Sequence, residues 1–279
     1  MTGTIAQIVA LTAYGNDYLK NGKKPVDFNL VNTTFQFCNR VDFCELKKQF
    51  FLPTPQERVV ASNPTEWFKY LITGDCQYLR LYFEYSQDQS RVQNYDKDYF
   101  MAGFVGGGGT WLIEAVYDNY SSYWANQWEV TRDLNVPDKK IWTVNYKMTV
   151  KRQHTKNLQI DTEKIKDKLR QTLTEIADFA FNHDLQCWGE QFDKAKMTLD
   201  SSSPEENYYH KDLIPFDNYS TTAKQILFAA GTAWCFGGMG SWNDGFPGKD
   251  EEDYKIYYGL SEQLYSNIIE AIIAATNSY

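Results

Sequence analysis

Ile141-Trp-Thr-Val-Asn-Tyr-Lys-Met-Thr-Val150 alternates without a break: Ile141, Thr143, Asn145, Lys147 and Thr149 on one side, Trp142, Val144, Tyr146, Met148 and Val150 on the other. Successive side chains of a strand point to opposite faces, so this is the period of a half-buried β-strand. Just after Lys156 the period changes. From Asp161 to about Asn182, the residues Ile165, Leu169, Leu173, Ile176 and Ala180 return on one face of a helix, with Asp161 as its N-cap.

On the N-terminal side of that switch the chain reads mostly as strands. Asn126–Thr131 continues the sheet. Tyr99–Val105 and Thr110–Tyr117 flank the run Gly106–Gly109, and two apolar runs joined by glycines predict a hairpin or bulged turn. Gln77–Tyr85 is a strand, and the polar residues 86–98 an exposed loop. Asn63 and Pro64 start a short helix as N-cap and first-turn proline. Asn32 to Leu46 holds one or two short strands, and Pro53 and Pro55 break the chain beyond them. Residues 4–20 form an N-terminal helix that ends near Asn21-Gly22.

On the C-terminal side it reads as helices. A long polar connection over 198–219 precedes a helix that Ser220 caps and that runs to about Phe236, where Gly237-Gly238 stops it. The last helix covers Glu251–Thr276, with Ile256, Leu260, Leu264, Ile268 and Ile272 as a buried stripe. Strands first and helices afterwards predict an α+β fold: an antiparallel sheet with the C-terminal helices packed on one face. The chain reads as one domain over 1–279, sheet-rich over 30–150 and helix-rich over 160–279.

The totals fit a soluble globular chain of 279 residues, 43% hydrophobic and 23% charged. Aromatics reach 16% and supply large apolar area, often with a polar tip suited to half-buried surfaces. No run is long enough to span a bilayer and no signal peptide is read, which predicts a cytoplasmic protein. Five cysteines, Cys38, Cys44, Cys76, Cys187 and Cys235, form no Cys-x-x-Cys pair, so free, mostly buried thiols are expected. The net charge of −8 is uneven: residues 200–279 carry 4 basic against 12 acidic side chains. An acidic face repels phosphate backbones and favours a basic protein partner over nucleic acid.

Motifs for catalysis are sparse. Gly106–Gly109 lacks the spacing of a phosphate loop and precedes a strand, so a tight turn is preferred. His154, His183 and His210 show no helical zinc spacing, and His183 is placed to cap a helix C-terminus. Met239 and Asn243 occupy the positions around Ser241 where a nucleophile elbow needs glycine. Asp250-Glu-Glu-Asp253 lacks the spacing of a calcium loop and suits a helix start, where acids meet the dipole. No metal and no cofactor are predicted. A carboxylate pair such as Glu114 with Asp244 is the one residual route to hydrolysis.

Leu11-Thr-Ala-Tyr-Gly-Asn16, Asn32-Thr-Thr-Phe-Gln-Phe-Cys38, Phe104-Val-Gly-Gly-Gly-Gly-Thr-Trp-Leu-Ile-Glu114 and Phe236-Gly-Gly-Met-Gly-Ser-Trp-Asn-Asp244 together resemble a group of bacterial immunity proteins of contact-dependent and polymorphic-toxin systems. The resemblance covers most of the chain. It implies a cytoplasmic, non-enzymatic antidote that binds a cognate toxin and carries no catalytic residues over. The alternatives are a carboxylate-based hydrolase acting on carbohydrate and a structural or phage-associated component.

Within Ala233-Trp-Cys-Phe-Gly-Gly-Met-Gly-Ser-Trp-Asn-Asp244, the glycines are expected to form a C-cap and a sharp corner, with Phe236 and Met239 in the core. That leaves Trp242, Asn243 and Asp244, with Asp250, Glu251, Glu252 and Asp253 behind them, as the candidate partner-binding surface. Aromatic anchors beside acids suit a basic toxin.

Overall fold

The computed structural model describes residues 1–21, 28–47, 56–86, 97–149, 154, 160–244, 246, 248 and 250–279. Helices α1 (Gly3–Asn21) and α2 (Phe28–Val31) come first, followed by strands β1 (Cys38–Lys47) and β2 (Gln56–Ala61) and helix α3 (Pro64–Thr73). Strand β3 (Tyr78–Glu84), the single turn α4 (Asp98–Met101) and strands β4 (Thr110–Val116), β5 (Ser121–Val130) and β6 (Trp142–Met148) follow. Helices α5 (Thr162–Asn182), α6 (Gln186–Thr198), α7 (Thr221–Ala233) and α8 (Glu251–Thr276) close the chain. The class is α+β.

The six strands form one sheet in the order β2-β1-β6-β5-β4-β3. Four neighbouring pairs are antiparallel, as expected, but β1 and β6 run parallel, so the sheet is mixed. Alternation within a strand sets its faces and says nothing about the direction of its neighbour. In β6, Val144 and Tyr146 are buried while Asn145 and Lys147 stay half-exposed.

Aromatic rings fill the core over β1, β5 and β6. Phe43 stacks on Trp67 of α3 at 4.5 Å and on Tyr146 at 5.1 Å, and Trp124 meets Trp67 edge-on at 5.4 Å. Asn63 caps α3 by accepting from the Glu66 amide at 2.9 Å.

The N-terminal helix α1 lies across β3, β4 and β5. It is buried almost all round, Ile5 through Ala13, as an internal helix must be. Its buried polar side chains are bonded: Gln7 donates to Thr34 O at 3.2 Å, Thr12 to Ile8 O at 2.8 Å, and Asn16 to Leu79 O at 2.9 Å. Helices α5–α8 pack on one another, and α8 joins them to the sheet by lying along β3 and touching α1 and α4. No helix among the described residues is long and apolar enough to cross a membrane.

Several local expectations change. Asp98–Met101 is helical, so no hairpin joins it to β4 across the glycines. Residues 33–35 form a 3-10 turn ahead of a single strand. Helix α7 ends at Ala233, three residues early, because Trp234 turns extended with its backbone amide on Gly231 O. In the α8 stripe, Leu264, Ile268 and Ile272 are buried and Leu260 is half-buried, but Ile256 is exposed, because Tyr257 rather than Ile256 is the residue of that turn that faces α5. Pro53, Pro55, Gly22 and most of the 86–98 loop lie outside the described residues. Helix α6 was not among the expected elements, although Trp188, Phe192, Ala195 and Leu199 return on one helical face.

Candidate functional site

The two glycine-rich stretches meet in space. A Cβ on Gly103 would stand 2.1 Å from the carbonyl carbon of Gly237, so the two backbones touch there without side chains between them. Asn243 donates to Tyr99 O at 2.7 Å, and Tyr265 of α8 donates to Gly108 O at 2.5 Å. Gly109 adopts φ +83 with its missing Cβ facing the Phe83 ring, a position that demands glycine twice over. The sheet and the helical bundle are clamped together at this junction.

Trp242 is the plug of the corner between α7 and α8. It is 2% exposed, meets Phe192 and Trp188 of α6 edge-on at 5.3 and 5.9 Å, and donates to Ser261 Oγ at 2.8 Å. The expected binding role for Trp242 is therefore corrected: an indole sealed between two helices presents no surface. Met239 is the reverse case, expected in the core but 96% exposed, because the backbone reverses around Gly240 at φ +80 and throws it outward.

The acids behind Trp242 serve the helix start. Asp250 caps α8 by accepting from the Asp253 amide at 3.0 Å. Asp253 meets His183 Nε2 at 3.1 Å while His183 Nδ1 donates to Phe179 O at 2.8 Å, tying the C-terminus of α5 to the N-terminus of α8. Asp244 is exposed and accepts from the Gly240 amide at 2.7 Å. Asn243 faces inward to Tyr99. Glu251 and Glu252 are exposed.

Glu114 is far from these acids in its bonding. It is fully buried on β4, gripped by Arg80 through Nε at 3.0 Å and Nη2 at 3.1 Å, with Ser121 Oγ donating at 2.6 Å and Tyr123 OH at 3.2 Å. Of the suggested Glu114–Asp244 pair, Glu114 is sealed in the sheet against Arg80 while Asp244 is exposed at the α7–α8 corner. Ser121 Oγ also lies 2.8 Å from His154 Nδ1. A hydroxyl has one proton, and the Glu114 carboxylate takes it, so the serine has none to give His154.

A deep concave feature lies on the other side of the glycine junction. A cavity of about 770 Å³ opens between the N-terminus of α1, the 33–38 segment, the 102–110 loop and the exposed face of β5 and β6. Four of the eight tryptophans line it: Trp111, Trp128, Trp142 and Trp234. Phe37, Phe104, Val105 and Tyr209 stand at its mouth, at 44%, 61%, 58% and 65% exposure. None of the described lining residues is Asp, Glu, Lys or Arg, although 23% of the chain is charged.

The two ionisable side chains with the most polar character in the wall are held neutral. Burial pushes the Cys38 thiol up to about 11, partly offset by Gln7 Nε2 at 3.3 Å from Sγ. Burial lowers the His210 imidazole below its ordinary value, against the opposing pull of Asp212. Thr33 fixes the histidine tautomer. Its hydroxyl donates to Asp212 Oδ1, its backbone amide donates to Asp212 Oδ2 at 2.8 Å, and its oxygen lies 2.9 Å from His210 Nδ1. With the hydroxyl proton spent on the carboxylate, Nδ1 carries the proton and Nε2 is left as an acceptor. No described residue bonds Nε2.

No protein family, curated protein or solved structure matches this chain. Function rests on the site itself. Among the described residues no group of three or more His, Cys, Asp or Glu side chains is placed to hold a metal ion. All five cysteines are free, with only Cys187 exposed.

Sequence reasoning did not pick out the cavity residues. The signal was present only as an aromatic excess and as Phe104-Val105 set against four glycines. Which tryptophans share a wall depends on strand register and on the fold-back of 209–210 onto 33–36, where Gln36 Nε2 bonds Tyr209 OH.

Proposed function

We propose that this chain is a non-enzymatic cytoplasmic protein that neutralises a cognate bacterial toxin by binding it directly. The observation that carries the reading is the apolar group Phe37, Phe104, Val105 and Tyr209, exposed together around the rim of one cavity. Large apolar side chains gathered on a surface mark interaction sites, and aromatic anchors beside a pocket carry most of the energy of protein interfaces. The rim is rigid, because the glycine loop that presents Phe104 and Val105 is clamped to the corner at Gly237. The motif resemblance to immunity proteins points the same way.

The interface shifts accordingly. Trp242 is withdrawn from it, and Asp244, Asp250, Glu251 and Glu252 become long-range charges that steer a basic toxin toward this end of the molecule. The carbohydrate-hydrolase alternative needs two carboxylates facing one cavity, and the described lining supplies none.

The test is neutralisation of the toxin encoded beside this gene, with purified components. The wild-type protein in excess abolishes toxin activity. Phe104→Asp with Val105→Asp loses neutralisation by at least about tenfold in affinity, as loss of a central anchor does. Glu251→Lys with Glu252→Lys slows association and weakens its salt dependence. Full toxin activity in the presence of excess wild-type protein ends this reading.

A further inference from the structure

We infer that the interior of the aromatic cavity is a binding site for an uncharged aromatic ring compound that carries one hydrogen-bond donor, of the phenol or indole class. The inference is separate from toxin binding at the rim: a chain that neutralised no toxin would still bind such a ligand.

Three features carry it. The first is size, since about 770 Å³ falls within the range of pockets that enclose small ligands. The second is the wall. Trp111, Trp128, Trp142 and Trp234 offer ring faces and edges, and Trp128 already meets Trp142 edge-on at 5.8 Å. Planar rings pack against such surfaces in offset or edge-to-face geometry.

The third is the electrical character. A charged ligand entering this space would lose its water and meet no Asp, Glu, Lys or Arg side chain on the described lining, while burial lowers the Met1 amine there to about 5, which disfavours a charged ligand. Beside the amides of Asn126 and Gln127 and the hydroxyl of Thr110, the wall supplies one directed ring acceptor, His210. Thr33 and Asp212 lock His210 with Nδ1 protonated, and the ring lines the cavity with Nε2 unbonded. An acceptor at one point of an apolar wall selects ligands that bring an O–H or N–H to it. A ligand without a donor leaves that nitrogen unsatisfied once water is displaced.

Three two-ring probes separate the elements of the argument: 2-naphthol, 2-methoxynaphthalene and 6-hydroxy-2-naphthoate. Each is titrated into the full-length protein and followed by calorimetry and by thermal shift. 2-Naphthol binds saturably at one site. 2-Methoxynaphthalene, which keeps the rings and lacks the donor, binds about fivefold or more weakly, the factor of one hydrogen bond. 6-Hydroxy-2-naphthoate, which adds a carboxylate, shows no saturable binding.

Two variants locate the site. Ala125→Trp, at a half-buried lining position of β5, fills the cavity and abolishes 2-naphthol binding while circular dichroism shows an intact fold. His210→Asn keeps a group facing Thr33 but removes Nε2, so 2-naphthol loses its advantage over 2-methoxynaphthalene. The inference is overturned if the folded protein does not bind 2-naphthol or if the carboxylate probe binds as tightly. It is equally overturned if folded Ala125→Trp binds unchanged, or if His210→Asn retains the preference.

Discussion

Asn16 of α1 and Leu79 of β3 exchange two hydrogen bonds, Nδ2 to the carbonyl at 2.9 Å and the amide to Oδ1 at 2.7 Å. β3 is the last strand of the sheet among the described residues, with no described strand on its other side. Two residues along, Asn277 just past α8 does the same for Leu81, at 2.7 and 2.9 Å. A carboxamide has the donor and acceptor of a peptide group, so these two side chains act as an artificial neighbouring strand and close the edge. Replacing Asn16 with Leu strands a buried N–H and a buried C=O. Stability falls by about 2–4 kcal/mol in urea unfolding, and a loss under about 0.5 kcal/mol would mean the edge does not need the amide.

The glycine junction separates two kinds of glycine. At Gly103 a methyl group collides with the Gly237 backbone, whereas at Gly106, with φ +81, nothing lies within 4 Å of it. Gly106→Ala therefore meets only the left-handed penalty, about 1–2 kcal/mol. Gly103→Ala carries no such penalty but forces the 102–109 loop off the α7–α8 corner, so it lowers the melting temperature more. The reverse order in thermal melts would show that the two loops are not in contact.

Burial assigns Trp242 to the core and Asp250 to a helix cap, and the two predict different sensitivities. Trp242→Ala removes an indole packed between α6 and α8 and lowers stability by about 3–5 kcal/mol. Asp250→Ala loses one cap and lowers it by about 1 kcal/mol. Chemical denaturation of the two variants checks both. An unchanged Trp242→Ala protein would return that residue to the surface.

His210 makes stability depend on pH. Its folded value is lowered from 6.5, mainly by burial, so between the two values the unfolded chain binds more protons than the folded one. Its contribution is complete above 6.5 and is lost as pH falls below 6.5 toward the folded value. The melting temperature of the wild-type protein drops over that window, and His210→Asn removes part of the drop. Identical slopes for the two proteins would show that the imidazole is as free to protonate when folded as when unfolded.

Much of the architecture was written in local patterns. The alternation over 142–148, the Asp161, Asn63 and Ser220 caps and the stripe of α5 depend on residues a few positions apart, and all are found in the structure, with Val150 outside the described residues. The place of the 250–253 acids at a helix start was legible for the same reason, though that Asp250 is the cap was not. Relations between distant segments were not. The parallel pairing of β1 with β6 adds no mark to either strand, and Ala233–Asp244 reads alike whether its indole turns inward or outward.

Local chemistry thus accounts for the secondary structure, the α+β class and the acidic C-terminal third, because propensity, capping and charge act over a turn or two. Long-range contact chose the rest. Packing against α6 and α8 buried Trp242, the glycine contact at Gly103 and Gly237 exposed Phe104 and Val105, and strand register gathered Trp111, Trp128 and Trp142 around one uncharged cavity. Burial is a property of what surrounds a side chain, and neighbours far along the chain exist only once it has folded.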